Sequence, residues 1–303
     1  MKVLLLGAGG QLGQAFLRTG ELARQFELDC ASRDGRQGIA ADLANSDQVL
    51  ALLDRTRPQI IINAAAYTRV DRAEQEEDLA TRINGQLPGL LGRWALEHDS
   101  LVIHFSTDYV FDGHTHTAYL PNAEPAPINA YGRSKLAGEI ALGRSGAKHL
   151  IFRTAWVYDA WGNNFFNTML KLGREKEELR VVADQYGSPT PTHLIVKGTL
   201  AALDKWTRSD TGWRSSLPIV HHLVSSGTTT WHEFADAIFK EAIKAGLPMK
   251  VQGVLPISTL EFPTPARRPS RSTLDNSSFT EYFSFELPPW QAGMIQVFEE
   301  LSS

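Results

Sequence analysis

Between Lys2 and Gly7 the chain runs through four consecutive apolar residues, Val3 to Leu6. An unbroken run of this kind suits a strand covered on both faces in a parallel sheet, not a half-exposed antiparallel one. Helical spacing follows at Leu12, Phe16 and Leu17. A β-like run then covers Leu28 to Ser32, and a helical segment from Ser46 to Arg55 is closed by Pro58. The stretch "QIIINAAA" from Gln59 reads as another buried strand. The pattern predicts one long helix from about Val70 to Glu97, a strand over Leu101 to Ser106, a helix from about Ala130 to Leu142 and a strand from His149. Strand and helix alternating in this way predict an α/β fold, a Rossmann-like doubly wound parallel sheet with helices on both faces.

After about Ala155 the rhythm loosens. "NNFFNTMLKLGREKEEL" reads as a helix, and "RVVADQYGSPTPTHLIV" as a short strand, a Gly/Pro turn and a helix start. "IVHHLVS" from Ile219 reads as one more strand of the sheet. A helix from about Thr230 to Ala245 is opened by the capping region "SSGTTT", and a last helix covers about Trp290 to Leu301. The expected division is a dinucleotide-binding domain over 1–155, rejoined by about 193–224, with a smaller C-terminal α/β substrate-binding lobe drawn mainly from 156–303.

Glycines at 7, 10 and 13 lie between the first strand and the first helix. A turn without Cβ atoms lets backbone N–H groups approach a pyrophosphate, and the helix N-terminus adds partial positive charge. Gly7, Gly10 and Gly13 are therefore expected to bind a dinucleotide. The second strand ends in "DCASRD", which places Arg33 at its edge. An arginine there suits adenine stacking and a 2′-phosphate better than a free ribose diol. NADPH is the expected cofactor, with NADH as the alternative. Asp42 and Leu43, after the third strand region, and "NAAAYT" ending the fourth lie at strand ends where open sheets bind ligands.

Composition narrows the partners. The 30 basic and 34 acidic residues give a net charge of -4, and no run of five like charges occurs. No nucleic-acid footprint is present. The short apolar start is too brief for a signal or membrane segment, and the lone Cys30 gives no disulfide framework. A cytoplasmic location is expected. The partner is a small molecule, neither nucleic acid nor membrane, and a homodimer is an allowed assembly.

The strand "LVIHFS" runs into Ser106, Thr107, Asp108 and Tyr109, so hydroxyls sit just beyond a strand's C-terminal end. Tyr131 then opens a helix, with Lys135 one turn along on the same face. Chance alone supplies a Tyr/Lys pair at this spacing in roughly one such chain in five. The glycine loop and the hydroxyl strand end give it meaning. A free tyrosine has a pKa of about 10, and a nearby ammonium with an oxidised nicotinamide favours the phenolate. Lys135 is expected to lower the Tyr131 pKa toward the working range of a general acid. Thr107 and Ser106 would hold the substrate carbonyl. The Pro-rich segment "HTHTAYLPNAEPAPINA" is a loop that could fold over the site.

These features resemble the extended short-chain dehydrogenase/reductases. "GGQLGQ", "INAAAYTRVDRAE", "FSTDYVFDG", "YGRSKLAGE", "FRTAWVY", "NNFFNTML", "VVADQYGSPT" and "RRPSRSTLD" narrow the likeness to the family that reduces dTDP-4-dehydro-L-rhamnose. The resemblance implies hydride transfer to C4 of that sugar, giving dTDP-L-rhamnose for polysaccharide biosynthesis. By motif it implies Tyr131 as proton donor, Lys135 as support for phenol and cofactor, and Thr107, Asp108 and Trp156 against the sugar. Gly10, Gln11, Leu12, Asp42, Leu43, Ala66, Tyr67 and Thr68 would surround the dinucleotide. Arg33 departs from the acidic residue that strict NADH use favours.

A nucleotide diphosphate needs cationic donors, and Arg267 and Arg268 are candidates. Asn163 and Asn164 open a helix and could bind the diphosphate or cap the helix. Adjacent strand residues point to opposite faces, so His221 and His222 do not chelate together, and "WHEF" lacks the second His of a zinc motif. No metal is expected. Trp161, Trp231 and Trp290 are read as packing. Two alternatives stand: another nucleotide-sugar reductase or epimerase of the same superfamily, and a non-catalytic dinucleotide-binding regulatory subunit like that of methionine adenosyltransferase.

Overall fold

The computed structural model describes residues 1–217 and 219–302. Its centre is a parallel sheet of six strands in chain order, β1 (Lys2–Leu6), β2 (Glu27–Ser32), β3 (Ile39–Ala40), β4 (Ile60–Asn63), β5 (Leu101–Thr107) and β6 (Lys148–Thr154), joined by Val220–His222. Across the sheet the order is Val220–His222, β6, β5, β4, β1, β2, β3. The order reverses between β1 and β4, and a crevice opens at such a switch point beyond the strand carboxyl ends.

The apolar runs are explained by cover on both sides. Val3, Leu5, Phe105 and Phe152 face the Gln11–Thr19 and Thr192–Arg208 helices. Leu4, Leu6, Val102 and Ile151 face the opposite way, into a core with Val49, Leu91 and Leu142 from the helices on that side. A second core gathers Tyr158, Phe166, Phe234, Ile238 and Phe298, held by the helices Phe165–Glu175, Trp231–Lys244 and Trp290–Ser302. Thr230 opens the middle helix with a capping box to Glu233, as "SSGTTT" suggests.

The long helix expected over 70–97 is instead divided. Helical turns at Val70–Ala73 and Glu77–Thr81 lead into a π-helical turn, Arg82–Gln86, and only then into the helix Leu87–Glu97. Pro88 sits in the first turn of that last helix and lacks the N–H that would have bonded to the Asn84 carbonyl. The freed carbonyl faces Gly138 of the Ala130–Gly143 helix, where a Cβ would lie 2.0 Å from it. The Asn84 side chain accepts from the Tyr67 N–H and donates to the Tyr67 carbonyl and to Ser134 Oγ. The break thus ties the loop after β4 to the helix carrying Tyr131 and Lys135.

Candidate active site

A cleft of about 1350 Å³ runs along the carboxyl ends of the sheet strands and meets the second lobe. Its glycine turn is built by close approach. Gly7 has φ +77° and passes so near Ala64 and Ala65 that a Cβ would lie 2.6 Å from the Ala65 nitrogen. At Gly13 a Cβ would lie 2.2 Å from the Gly7 carbonyl oxygen. Gly10 donates its N–H to that same oxygen and opens the following helix without a side-chain cap. The first amides of the helix are left for a ligand at the positive end of its dipole.

Ser32, Arg33, Asp34, Arg36 and Gln37 line one end of the cleft. The Asp34 carboxylate accepts from Ser32 Oγ and the Arg36 N–H and pairs with the Arg36 guanidinium at 3.2 Å. These contacts, the Arg36 amide foremost, hold it below the usual carboxylate range. Asp34 is thereby turned toward Arg36, while Arg33 lines the cleft beside it. Asp42, Leu43, Ala66 and Thr68 line the groove between this end and the switch point.

At the other end β5 delivers Ser106, Thr107 and Asp108, all buried. Thr107 Oγ1 donates to Asp108 Oδ1 at 3.0 Å and caps the short 3₁₀ turn by accepting the Tyr109 N–H. Burial raises Asp108 to about 6, against the opposing hydrogen bonds from Ser272 and Thr107. The Tyr131 and Tyr109 rings meet edge to face, 6.0 Å apart at 82°. Burial, then the Asp108 charge, pushes the Tyr131 phenol up to about 12, and a hydrogen bond with Thr107 works the other way. Burial and Asp108, not Lys135, govern the phenol, so the expected lowering by Lys135 is not found. The Lys135 ammonium is turned to the Phe105 carbonyl at 2.5 Å, and burial lowers it to about 8 with Glu139 opposing. A phenol raised in this way keeps its proton near neutral pH, which is the state a proton donor requires.

Asn129 caps the Tyr131 helix through Gly132 and also donates to the Arg267 carbonyl, joining the helix to the second lobe. Ser106 donates to Glu139, which pairs with the buried Arg153. Its hydroxyl hydrogen is thus committed to Glu139. Arg153 also donates to the Pro121 carbonyl, and Tyr119 exchanges backbone bonds with Thr273 and Asp275. The Pro-rich loop is fastened there, and none of residues 114–129 lines the cleft, contrary to the expectation that it folds over the site.

Trp156, Asn163 and Asn164 form part of the second-lobe wall. Asn164 is the cap of the Phe165–Glu175 helix, accepting from Asn167 N–H while its amide donates to the Asp159 and Trp161 carbonyls. Arg268 is ion-paired to Asp71 at 2.9 Å and lies outside the cleft lining. Gly13 and Tyr67 stand behind the wall: Tyr67 is buried, with its hydroxyl on Glu76. Sequence reasoning missed Asp159, a buried carboxylate in the wall that takes Arg18 and Thr192 and so bridges the glycine-loop helix to the second lobe. Trp161 and Trp231, read as packing, line the cleft as well. Among the described residues no His, Cys, Asp or Glu cluster could hold a metal ion, and no helix is long and apolar enough to cross a membrane.

A glycine turn at the switch point, with Thr107 at the end of β5 and Tyr131 and Lys135 on the Ala130–Gly143 helix beside it, is the arrangement of an extended short-chain dehydrogenase/reductase. Comparison with known proteins carries this further. The model of the family described as the RmlD substrate binding domain matches residues 1–303, and the chain belongs to that family. It is 41% identical over 302 residues to dTDP-4-dehydrorhamnose reductase of Shigella flexneri, covering 99% of this chain and 98% of that protein. Among solved structures it resembles the dTDP-4-dehydrorhamnose reductase of Bacillus anthracis in complex with NADP, with TM-score 0.86, 37% identity and 99% of each chain covered. The Clostridium acetobutylicum reductase aligns with TM-score 0.87 and 32% identity over the whole of both chains.

Proposed function

We propose that this chain reduces the C4 keto group of dTDP-4-dehydro-L-rhamnose to dTDP-L-rhamnose with NADPH. The observation that carries the reading is the Tyr131 phenol hydrogen-bonded with Thr107 at the far end of the cleft that begins at the glycine turn. Residues of 1–155 would hold NADPH, with Gly10, Gln11 and Leu12 at its pyrophosphate and Arg33 at its 2′-phosphate, and the nicotinamide would supply the hydride. Tyr131 gives its proton to the C4 oxygen, Thr107 and Asp108 orient the sugar, and Trp156 covers it. The second lobe, mainly 156–303, receives the nucleotide. Arg33 lines this end of the cleft and, among the described residues, forms no ion pair with a carboxylate; this supports NADPH over NADH, as does the NADP complex of the Bacillus anthracis relative. A single cysteine and NADPH use support a cytoplasmic setting.

The test is a nicotinamide absorbance assay with the keto sugar generated in place and each cofactor offered separately. Loss of absorbance that requires the keto sugar supports the reading. No loss with either cofactor overturns it. Protein purified with stoichiometric tightly bound nicotinamide and no net NADPH oxidation would point to an epimerase instead.

A further inference from the structure

Arg18 joins the two walls of the cleft. It stands in the second turn of the helix that follows the glycine turn, and its guanidinium pairs with Asp159, whose side chain is 1% exposed. The Asp159 carboxylate also accepts the Thr192 hydroxyl at 2.7 Å and the Trp161 N–H at 3.3 Å, while its backbone carbonyl accepts the Asn164 and Asn167 amides. In a buried pair the lost hydration offsets much of the attraction. The larger effect of this one is on geometry.

What Arg18 fixes is Trp161. The guanidinium lies 4.3 Å from the centre of the indole, and among the described residues no other ring or cation stacks there. Trp161 is 44% exposed, and the chain next turns at Gly162, φ +85°, where nothing comes within 4 Å of a Cβ position. The backbone of this crest is held from below, by the Asn164 and Asn167 amides on the Trp161 and Gly162 carbonyls. The segment borders the glycine turn. Gln11, the first residue of the helix, donates its amide to the Val157 carbonyl at 3.2 Å, and its Oε1 is 3.5 Å from Asn164 Nδ2. Trp161, Asn163 and Arg18 all line the cleft at this end.

We propose that Trp161 and Arg18 form an outer wall for the diphosphate of the dinucleotide, and that Asp159 is the positioning residue that holds them there and so slows the release of NADPH. The inference rests on the reading of the cleft as an NADPH site; the chemistry at Tyr131 plays no part in it. With one edge of the guanidinium pinned by the carboxylate, its flat face carries the indole, and the N–H groups that Asp159 does not use remain for a phosphate oxygen. A residue that merely braced the fold would change the melting temperature and leave the release rate alone.

Release is measured by stopped-flow nicotinamide fluorescence as excess NADP+ displaces bound NADPH. Trp161→Leu removes the aromatic face and should speed release about 2- to 5-fold, the worth of a half-exposed cation–π contact. Trp161→Phe keeps a face for the guanidinium and should stay within about twofold of wild type. Asp159→Asn sets an amide N–H against Arg18 and should speed release by at least as much as Trp161→Leu. Because Asp159 acts through the ring, the two effects should not add: the double variant should release NADPH no faster than the quicker single one. The dissociation constant for dTDP, measured by calorimetry, should be unchanged throughout. Wild-type release rates in Trp161→Leu, additive effects in the double variant, or a loss confined to dTDP overturn the inference. If Asp159→Asn does not fold, Trp161→Leu and Trp161→Phe, altered at an exposed side chain, decide it. Wild-type protein that binds no NADPH removes the cofactor reading and this wall with it; wild-type binding with unaltered variants removes the wall alone.

Discussion

The Asp108 carboxylate at the end of β5 accepts the hydroxyl of Ser272, which lies 164 residues further along the chain. The contact joins the end of β5 to the Pro-rich segment of the second lobe, and it is made in a buried setting. Burial is the larger influence on Asp108 and raises it from 3.8 to about 6.

That shift makes Asp108 a stability switch with a definite sign. A carboxyl whose folded value is raised favours folding below its unfolded value, and the contribution is lost as pH rises through the folded one. The window is about pH 4 to 6, and the full change is on the order of 3 kcal/mol. Asp108→Asn cannot titrate. Its unfolding free energy relative to wild type should therefore rise between pH 4 and pH 7, as read by denaturant titration at each pH. A constant difference would show that Asp108 is ordinary.

Tyr131→Phe removes the proton and leaves the edge-to-face contact with Tyr109 in place. A positioned general acid contributes roughly 10²–10⁴-fold to rate, so kcat should fall by that order. Because the hydroxyl is not part of the glycine turn, NADPH binding measured by fluorescence should stay within about twofold of wild type. Turnover left intact by Tyr131→Phe would take the donor role from it.

Arg33→Asp tests the adenosine end. The Asp34 carboxylate is already engaged by Ser32 and Arg36, so Arg33 is the cation left to meet a 2′-phosphate. A charge-assisted hydrogen bond is worth about 1.5–3 kcal/mol, which predicts a rise in KM for NADPH of roughly 10- to 100-fold. KM for NADH should change little. Equal effects on both cofactors would place the 2′-phosphate elsewhere.

How much of this the sequence carries depends on the range of the interaction. The strands β1, β4 and β5 are legible because burial on both faces leaves an unbroken apolar run. The glycine turn and the Tyr131/Lys135 pair are legible because their geometry is local. The break at Arg82–Gln86 is not, since it depends on Pro88 freeing one carbonyl just where Gly138 of another helix passes. Asp159 is silent for a similar reason. It is defined by partners far away in the chain, Arg18 and Thr192. The direction of the Tyr131 shift also depends on three-dimensional facts, the depth of burial and the nearness of Asp108.

The wall opposite Tyr131 yields the last prediction. Trp156 stacks on Trp231 with ring centroids 3.5 Å apart and 5° between planes, and Trp231 Nε1 donates to Gln185 Oε1 at 3.2 Å. Trp156 holds φ +46°, a left-handed conformation that a bulky residue adopts at a cost of about 1–3 kcal/mol unless its surroundings impose it. Gly187 is part of those surroundings, for a Cβ there would lie 2.4 Å from the Trp156 ring. Trp231 and the bare face of Gly187 therefore hold Trp156 as a fixed platform in the cleft. An aromatic pair is worth roughly 0.5–1.5 kcal/mol beyond burial, so Trp231→Leu should raise KM for the keto sugar by about 2- to 12-fold. Gly187→Ala should raise it further, because the methyl group displaces the ring itself. Neither change touches the glycine turn, so the KM for NADPH should be unaltered in both. A matching rise in both KM values would mean that the stack supports the lobe as a whole and not the sugar platform.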